Sequence, residues 1–132
     1  MVYVIGALKS LRSVIMKTKS IDPKELCLKL LKRSSCAVQV GSVLTTKGLI
    51  TATGWNHAGS SGYGCHAEEM TFKRSNHKNI PKSVLYVAAR RKKSKNPVTS
   101  RPCAFCWQLV KNCAYVIYRD KDGEWKTLRG NI

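Results

Sequence analysis

Four side chains in two short stretches offer a seat for a metal and a carrier for a proton. His66 and Glu68 stand in His66-Ala67-Glu68, and Cys103 and Cys106 in Pro102-Cys103-Ala104-Phe105-Cys106. Catalytic zinc keeps three protein ligands in a tetrahedron and leaves the fourth position to water. One imidazole and two thiolates make three, and a Cys-x-x-Cys spacing at a helix start lets both sulfurs converge on one ion. Glu68 lies two residues past the histidine, within reach of the water without binding the metal. The plainer alternatives are a structural zinc knuckle or two reduced core cysteines. A structural site needs a fourth protein ligand, and Cys65 and Cys113 are the thiols nearby in sequence.

The H-x-E … P-C-x-x-C arrangement is the known signature of zinc nucleobase deaminases. On these residues the chain resembles the cytidine and deoxycytidylate deaminase superfamily, which includes the tRNA adenosine deaminases and the polynucleotide cytidine deaminases. The resemblance runs from about residue 22 to about residue 128. It implies one Zn2+ per chain, held by His66, Cys103 and Cys106, with Glu68 as the catalytic proton carrier. It implies hydrolysis of an amino-bearing nucleobase carbon to a carbonyl, with release of ammonia. Backbone N–H groups at Ala67 and Cys103 would steady the developing charge. Gly54-Trp55-Asn56 matches the Gly-Trp-Asn that tRNA adenosine deaminases carry ahead of their His-Ala-Glu, where the asparagine contacts substrate. That role is carried to Asn56. Ala67, Tyr63 and Phe105 are further substrate-binding candidates, the plainer alternatives being solvent for Tyr63 and packing on the sheet for Phe105. The Asp-Pro common in the family's loop before the histidine is absent here.

These groups need elements to position them. Asp22 and Pro23 read as the cap and first residue of a helix running to about Lys32, with Leu26, Cys27, Leu30 and Leu31 as its buried stripe. Ala37–Thr45 and Leu49–Trp55 read as two strands around a tight turn at Gly48, with Cys36 a buried thiol. The glycine- and serine-rich stretch 56–64 is a loop leading into His66, and a second helix follows from His66 to about Asn76. Starting at the ligand, it would point its partial positive end at the metal position. Glu69 falls elsewhere on the helix and should not bind the metal; a surface or supporting role is expected. Val84–Ala89 is apolar throughout, as a central strand is. Pro102 opens a third helix, on which Cys106, Leu109, Val110 and Cys113 share a face. Tyr115–Arg119 and Glu124–Leu128 flank an Asp-Gly turn and read as a hairpin.

The expected fold is therefore α/β, a three-layer cytidine-deaminase-like domain over residues 21–132. By the resemblance its five-stranded mixed sheet runs 2-1-3-4-5, with strands 4 and 5 an antiparallel hairpin. Residues 1–20 hold no acid and place Val4, Leu8, Leu11 and Ile15 at helical spacing. They read as a basic helical extension, the alternative being an organelle leader.

At 132 residues and 43% hydrophobic, the chain is long enough for one core. No apolar run approaches the roughly 20 residues of a membrane span, so no membrane partner is expected. Six cysteines without a secretory signal suit a reducing compartment, the cytoplasm or nucleus. There are 24 Lys and Arg against 7 Asp and Glu, a formal charge of +17. Such a surface attracts polyanions. Arg90, Arg91, Lys92, Lys93, Lys95 and Arg101 crowd the stretch just before Cys103, and phosphate or nucleic-acid contact is expected there, the plainer alternative being a solvated basic loop.

Three functions follow from these observations. The first is deamination of cytosine to uracil in a nucleoside, nucleotide or dCMP, which the expected terminal hairpin favours because the cytidine deaminase branch shares it. The second is editing of cytosine or adenine in single-stranded DNA, RNA or tRNA, favoured by the charge. The third is a zinc-held nucleic-acid-binding module without turnover, which would leave Glu68 unexplained. Family members are commonly dimers, trimers or tetramers, so a homo-oligomer is among the expectations.

Overall fold

The computed structural model describes residues 21–58 and 66–131. The expected N-terminal extension and the loop residues 59–65, which include Tyr63 and Cys65, lie outside the described residues. Helix α1 spans Pro23–Leu30 and ends in a single 3-10 turn, Leu31–Arg33. Asp22 Oδ1 accepts the Lys24 N–H at 2.9 Å, so the cap and the proline start the helix as the sequence predicts. Strands β1 (Val38–Thr46) and β2 (Leu49–Trp55) follow. Their turn places Lys47 at φ 54 and Gly48 at φ 77, the two left-handed residues of a tight hairpin. Then come α2 (Ala67–Lys73), β3 (Ser83–Arg91), α3 (Ala104–Val110), β4 (Tyr115–Arg119) and β5 (Trp125–Arg129).

The five strands form one mixed sheet in the order β2-β1-β3-β4-β5. β3 and β4 are parallel, and the other pairs, including the β4–β5 hairpin, are antiparallel. Alternation along the strands gives the sheet two apolar faces. Val43 and Ala88 meet Cys27 and Leu30 of α1 on one face. Leu44, Leu85, Val87 and Val116 meet Phe72 of α2 and Val110 of α3 on the other. The result is the three-layer α/β arrangement expected from the sequence, with α1 the one α-helix on its side among the described residues.

Three details differ from expectation. β3 runs on through Arg90 and Arg91, which pair with Gln39 and Val38 of β1; backbone pairing at an exposed sheet end does not need apolar side chains. A 3-10 helix, His77–Lys82, precedes β3, started by Asn76 Oδ1 accepting the Lys78 N–H. Cys36 is half-buried rather than buried.

Gly54 sets how closely α2 approaches the sheet. A Cβ there would lie 2.5 Å from the Ala67 carbonyl oxygen and 2.5 Å from Thr71 Oγ1. The backbone oxygen cannot swing aside, so α2 would have to lift. Gly54→Ala is expected to destabilise the fold by about 1–3 kcal/mol, as overpacking does. It should also lower zinc content, because His66 directly precedes α2. Denaturant melts and elemental analysis of the purified variant check both effects, and an unchanged midpoint would show that α2 is not held this close.

Candidate metal centre

His66 and Cys103 occupy matching places, each the extended residue just before a helix. His66 has φ −75 and ψ 151 ahead of α2, and Cys103 has φ −70 and ψ 171 ahead of α3. Glu69 Oε1 accepts the His66 backbone N–H at 3.1 Å, fixing the histidine's backbone against its own helix. Cys103 Sγ accepts the Cys106 N–H at 3.5 Å, so the first turn of α3 aims both sulfurs the same way. α2 is in turn seated on β1 by hydroxyls. Ser42 Oγ and Thr71 Oγ1 each lie 3.0 Å from the Ala67 carbonyl oxygen and within hydrogen-bond reach of each other; with one proton apiece, two of these three bonds form at once.

The outcome is a cluster in which ligand atoms of His66, Cys103 and Cys106 all lie within 4.8 Å of one another. His66 Nδ1 is 3.1 Å from Cys106 Sγ and 3.9 Å from Cys103 Sγ. Tetrahedral zinc with Zn–N near 2.1 Å and Zn–S near 2.3 Å needs N···S separations of about 3.5 Å, a value these two distances bracket. Among the described residues no fourth His, Cys, Asp or Glu joins the group. Cys113, one of the two alternative ligands, is fully buried and packs in the core below α3. Burial raises its thiol to about 12, which suits a neutral core side chain.

Glu68 is 5% exposed, in the first turn of α2. Burial pushes its carboxyl above the ordinary glutamate range. Burial also pushes the Cys106 thiol up, and the adjacent Glu68 charge adds to it. The two side chains share a hydrogen bond. Burial keeps both acids from ionising as they stand; a divalent ion bound here would deprotonate the coordinating thiol. One imidazole and two thiols are a donor set that zinc takes readily.

The other sequence-derived candidates fall in several places. Phe105 is 57% exposed, and its ring centroid lies 5.5 Å from that of His66 at 51°. It therefore stands at the mouth of the cluster. Ala67 is fully buried. Asn56 has its amide engaged with β1: Oδ1 accepts the Val40 N–H at 2.8 Å and Nδ2 donates to the Val38 carbonyl at 2.8 Å. Arg90 is half-buried, its Nε donating to Gln39 Oε1 at 2.8 Å, whereas Arg91, Lys92, Lys93, Lys95 and Arg101 are exposed.

Asn56→Ala would leave the start of β1 with an unpaired N–H and carbonyl. It is expected to cost about 1–3 kcal/mol of stability while zinc content holds, since no metal-cluster residue is bonded to Asn56. Denaturant melts alongside metal analysis test this; lost zinc with an unchanged melt would tie Asn56 to the metal cluster instead.

Sequence reading left Glu69 between a surface and a supporting role, without noting that a glutamate three residues after a cap has the capping-box spacing. It also passed over Trp55, whose ring lies 5.2 Å from the Arg33 guanidinium and 5.0 Å from that of Arg74. No sequence signal pairs those residues, because they meet only when both helices are docked.

The geometry agrees with what comparison with known proteins finds. Residues 18–118 match the family described as the cytidine and deoxycytidylate deaminase zinc-binding region. Among solved structures, cytidine deaminase from Burkholderia pseudomallei superposes with a TM-score of 0.64 at 15% identity, covering 81% of this chain and 89% of that one. No curated protein matches the chain in sequence.

Proposed function

Because the chain belongs to the cytidine and deoxycytidylate deaminase zinc-binding family, we propose that it is a zinc-dependent hydrolytic deaminase that turns cytosine into uracil in a nucleoside or nucleotide. The observation that carries the reading is the convergence of His66, Cys103 and Cys106 beside a buried Glu68. A structural zinc knuckle has no use for that carboxylate. The β4–β5 antiparallel hairpin favours cytosine over adenine within the superfamily.

His66, Cys103 and Cys106 would hold the zinc, which when bound supplies Lewis acidity and lowers the pKa of water to about 7. Glu68 takes a proton from the attacking water as its oxygen bonds to C4 of the ring. It passes that proton to N3, then takes the remaining hydroxyl proton and passes it to the amine as the C4–N bond breaks, so that cytosine and water become uracil and ammonia. Burial raises the Glu68 carboxyl above the ordinary glutamate range, which makes it a better acceptor of the water proton than a solvated carboxylate. Ala67 and Cys103 each bring a backbone N–H to a helix start, where developing negative charge is favoured. The Phe105 ring offers a face for the base, and aromatic stacking is worth about 1–3 kcal/mol.

Zinc-loaded protein should release ammonia from cytidine, deoxycytidine or dCMP and leave adenosine untouched. Release from adenine in tRNA alone would move the chain to the adenosine branch. No release from any nucleobase substrate at full zinc occupancy would leave a binding module.

A further inference from the structure

The basic stretch beyond β3 is not a loose loop. After Arg91 the chain turns through Lys92–Lys95, with Lys95 in the left-handed region at φ 64. The Lys95 N–H donates to the Arg91 carbonyl at 2.9 Å and the Arg91 N–H to the Asn96 carbonyl at 2.9 Å. The chain then runs back along β3, with Arg90 bridged to Pro97 and the Val98 N–H donating to the Ala89 carbonyl at 3.2 Å. The Lys92 N–H is fixed to the Ala37 carbonyl at 2.8 Å, ahead of β1. Backbone bonds thus hold the turn rigid, while Arg91, Lys92, Lys93 and Lys95 project into solvent. Among the described residues the ion pairs are those of Lys126 with Asp120 and Asp122. The four cations of the turn form none, and none of their side chains makes a hydrogen bond there. A preorganised, unneutralised set of four positive charges is suited to polyanion binding.

Its distance from the metal cluster says which polyanion. The returning chain reaches Ser100, whose Oγ donates to the Val87 carbonyl at 2.8 Å, and Cys103 lies three residues further on. The turn begins beyond Arg91, four strand residues past Val87. At about 3.3 Å per residue, that separates it by about 13 Å along β3 from the level of Ser100, three residues before Cys103. Stacked nucleotides advance about 3.4 Å each, so the gap spans about four of them. A nucleoside with its base over His66 and Phe105 offers the turn no phosphate, whereas a strand brings one with each neighbouring nucleotide. Arg101 stands between, exposed, with its guanidinium 5.8 Å from the Tyr118 ring centroid. A duplex would keep its bases stacked away from the cluster.

We propose that the turn Arg91–Lys95 is a phosphate-binding site for single-stranded nucleic acid, engaging nucleotides that flank the one presented to the metal cluster. The inference deepens the deaminase reading and rests on it for where the target base sits; strand binding itself does not require turnover.

The test compares zinc-loaded wild type with two variants carrying equal losses of charge. One replaces Arg91, Lys92 and Lys93 with glutamine and Lys95 with asparagine, which tolerates the left-handed backbone. The other replaces Lys47, Lys73, Lys78 and Lys82 with glutamine, all exposed and away from the turn. Binding of a labelled single-stranded oligodeoxycytidylate is measured across salt concentrations. Each single-strand phosphate contact contributes about 0.7 to the log–log salt slope. Loss of three to four contacts should therefore flatten the slope by about 2–3 in the turn variant and weaken binding at 0.1 M salt by a factor of about one hundred. The control variant should change the slope by less than about 0.7, one contact's worth. Turnover of free cytidine should be the same in all three. Equal weakening in both variants would show that net charge alone attracts the strand, and no weakening in either would remove the turn; each result overturns the proposal. Ammonia release from cytidine with turn-independent strand binding would leave the deaminase standing and the inference fallen. Turn-dependent binding without ammonia from any substrate would do the reverse.

Discussion

Glu68→Gln should keep its zinc and its fold and lose ammonia release from the best cytosine substrate by about 10⁴-fold or more. Glutamine matches the shape of glutamate and preserves a hydrogen bond to Cys106, but it cannot ferry protons. General acid–base groups typically contribute about 10²–10⁴-fold. The upper end is expected because one carboxyl serves the water, the ring nitrogen and the leaving amine. The side chain is 5% exposed and is not among the clustered ligand atoms, so its replacement leaves the metal seat alone. The measurement is ammonia release at equal zinc occupancy. If variant and wild type match at a measurable rate, Glu68 is not the proton carrier and the chemistry must be assigned elsewhere.

Removing one thiol should empty the site. Cys103→Ala deletes a ligand and also the sulfur that accepts the Cys106 N–H, so the first turn of α3 loses its brace. Cys106→Ala removes a fully buried thiol that faces His66 Nδ1 at 3.1 Å. In small zinc modules metal binding is worth about 10–16 kcal/mol in apparent free energy, and that energy is coupled to folding. Each variant is therefore expected to retain less than about a tenth of the wild-type zinc under mild chelation and to unfold at lower denaturant. Adding a chelator to wild type should lower its midpoint toward theirs. A Cys103→Ala protein with a full zinc complement would show that the ligand assignment is wrong.

Much of this was legible before any coordinates. The alternation that puts Val43 on one face and Leu44 on the other is written in the strand sequence, and the cap at Asp22 and the turn at Lys47-Gly48 are local signals. The candidate ligand set was legible through the resemblance that its H-x-E and P-C-x-x-C residues carry. The rest depends on meetings between distant segments. Nothing near Asn56 in sequence announces that its amide will tie down Val38 and Val40. Nothing near Arg90 announces that Gln39 will hold its guanidinium inside the sheet's edge, leaving the neighbouring cations alone in solvent. Hydrophobicity was the wrong guide to where β3 ends, because the ladder with β1 continues through charged residues.

The helices that carry the ligands are seven residues each, Ala67–Lys73 and Ala104–Val110. Helices that short do not persist alone in water. They last here because the sheet and a shared anchor at their leading residues hold them. The two should consequently open as one cooperative unit, and amide deuterium uptake should reveal it. Chelation should speed uptake in the first turns of both helices together, while β1 and β3 stay protected, making the exchange pattern a map of which part of the molecule depends on the anchor.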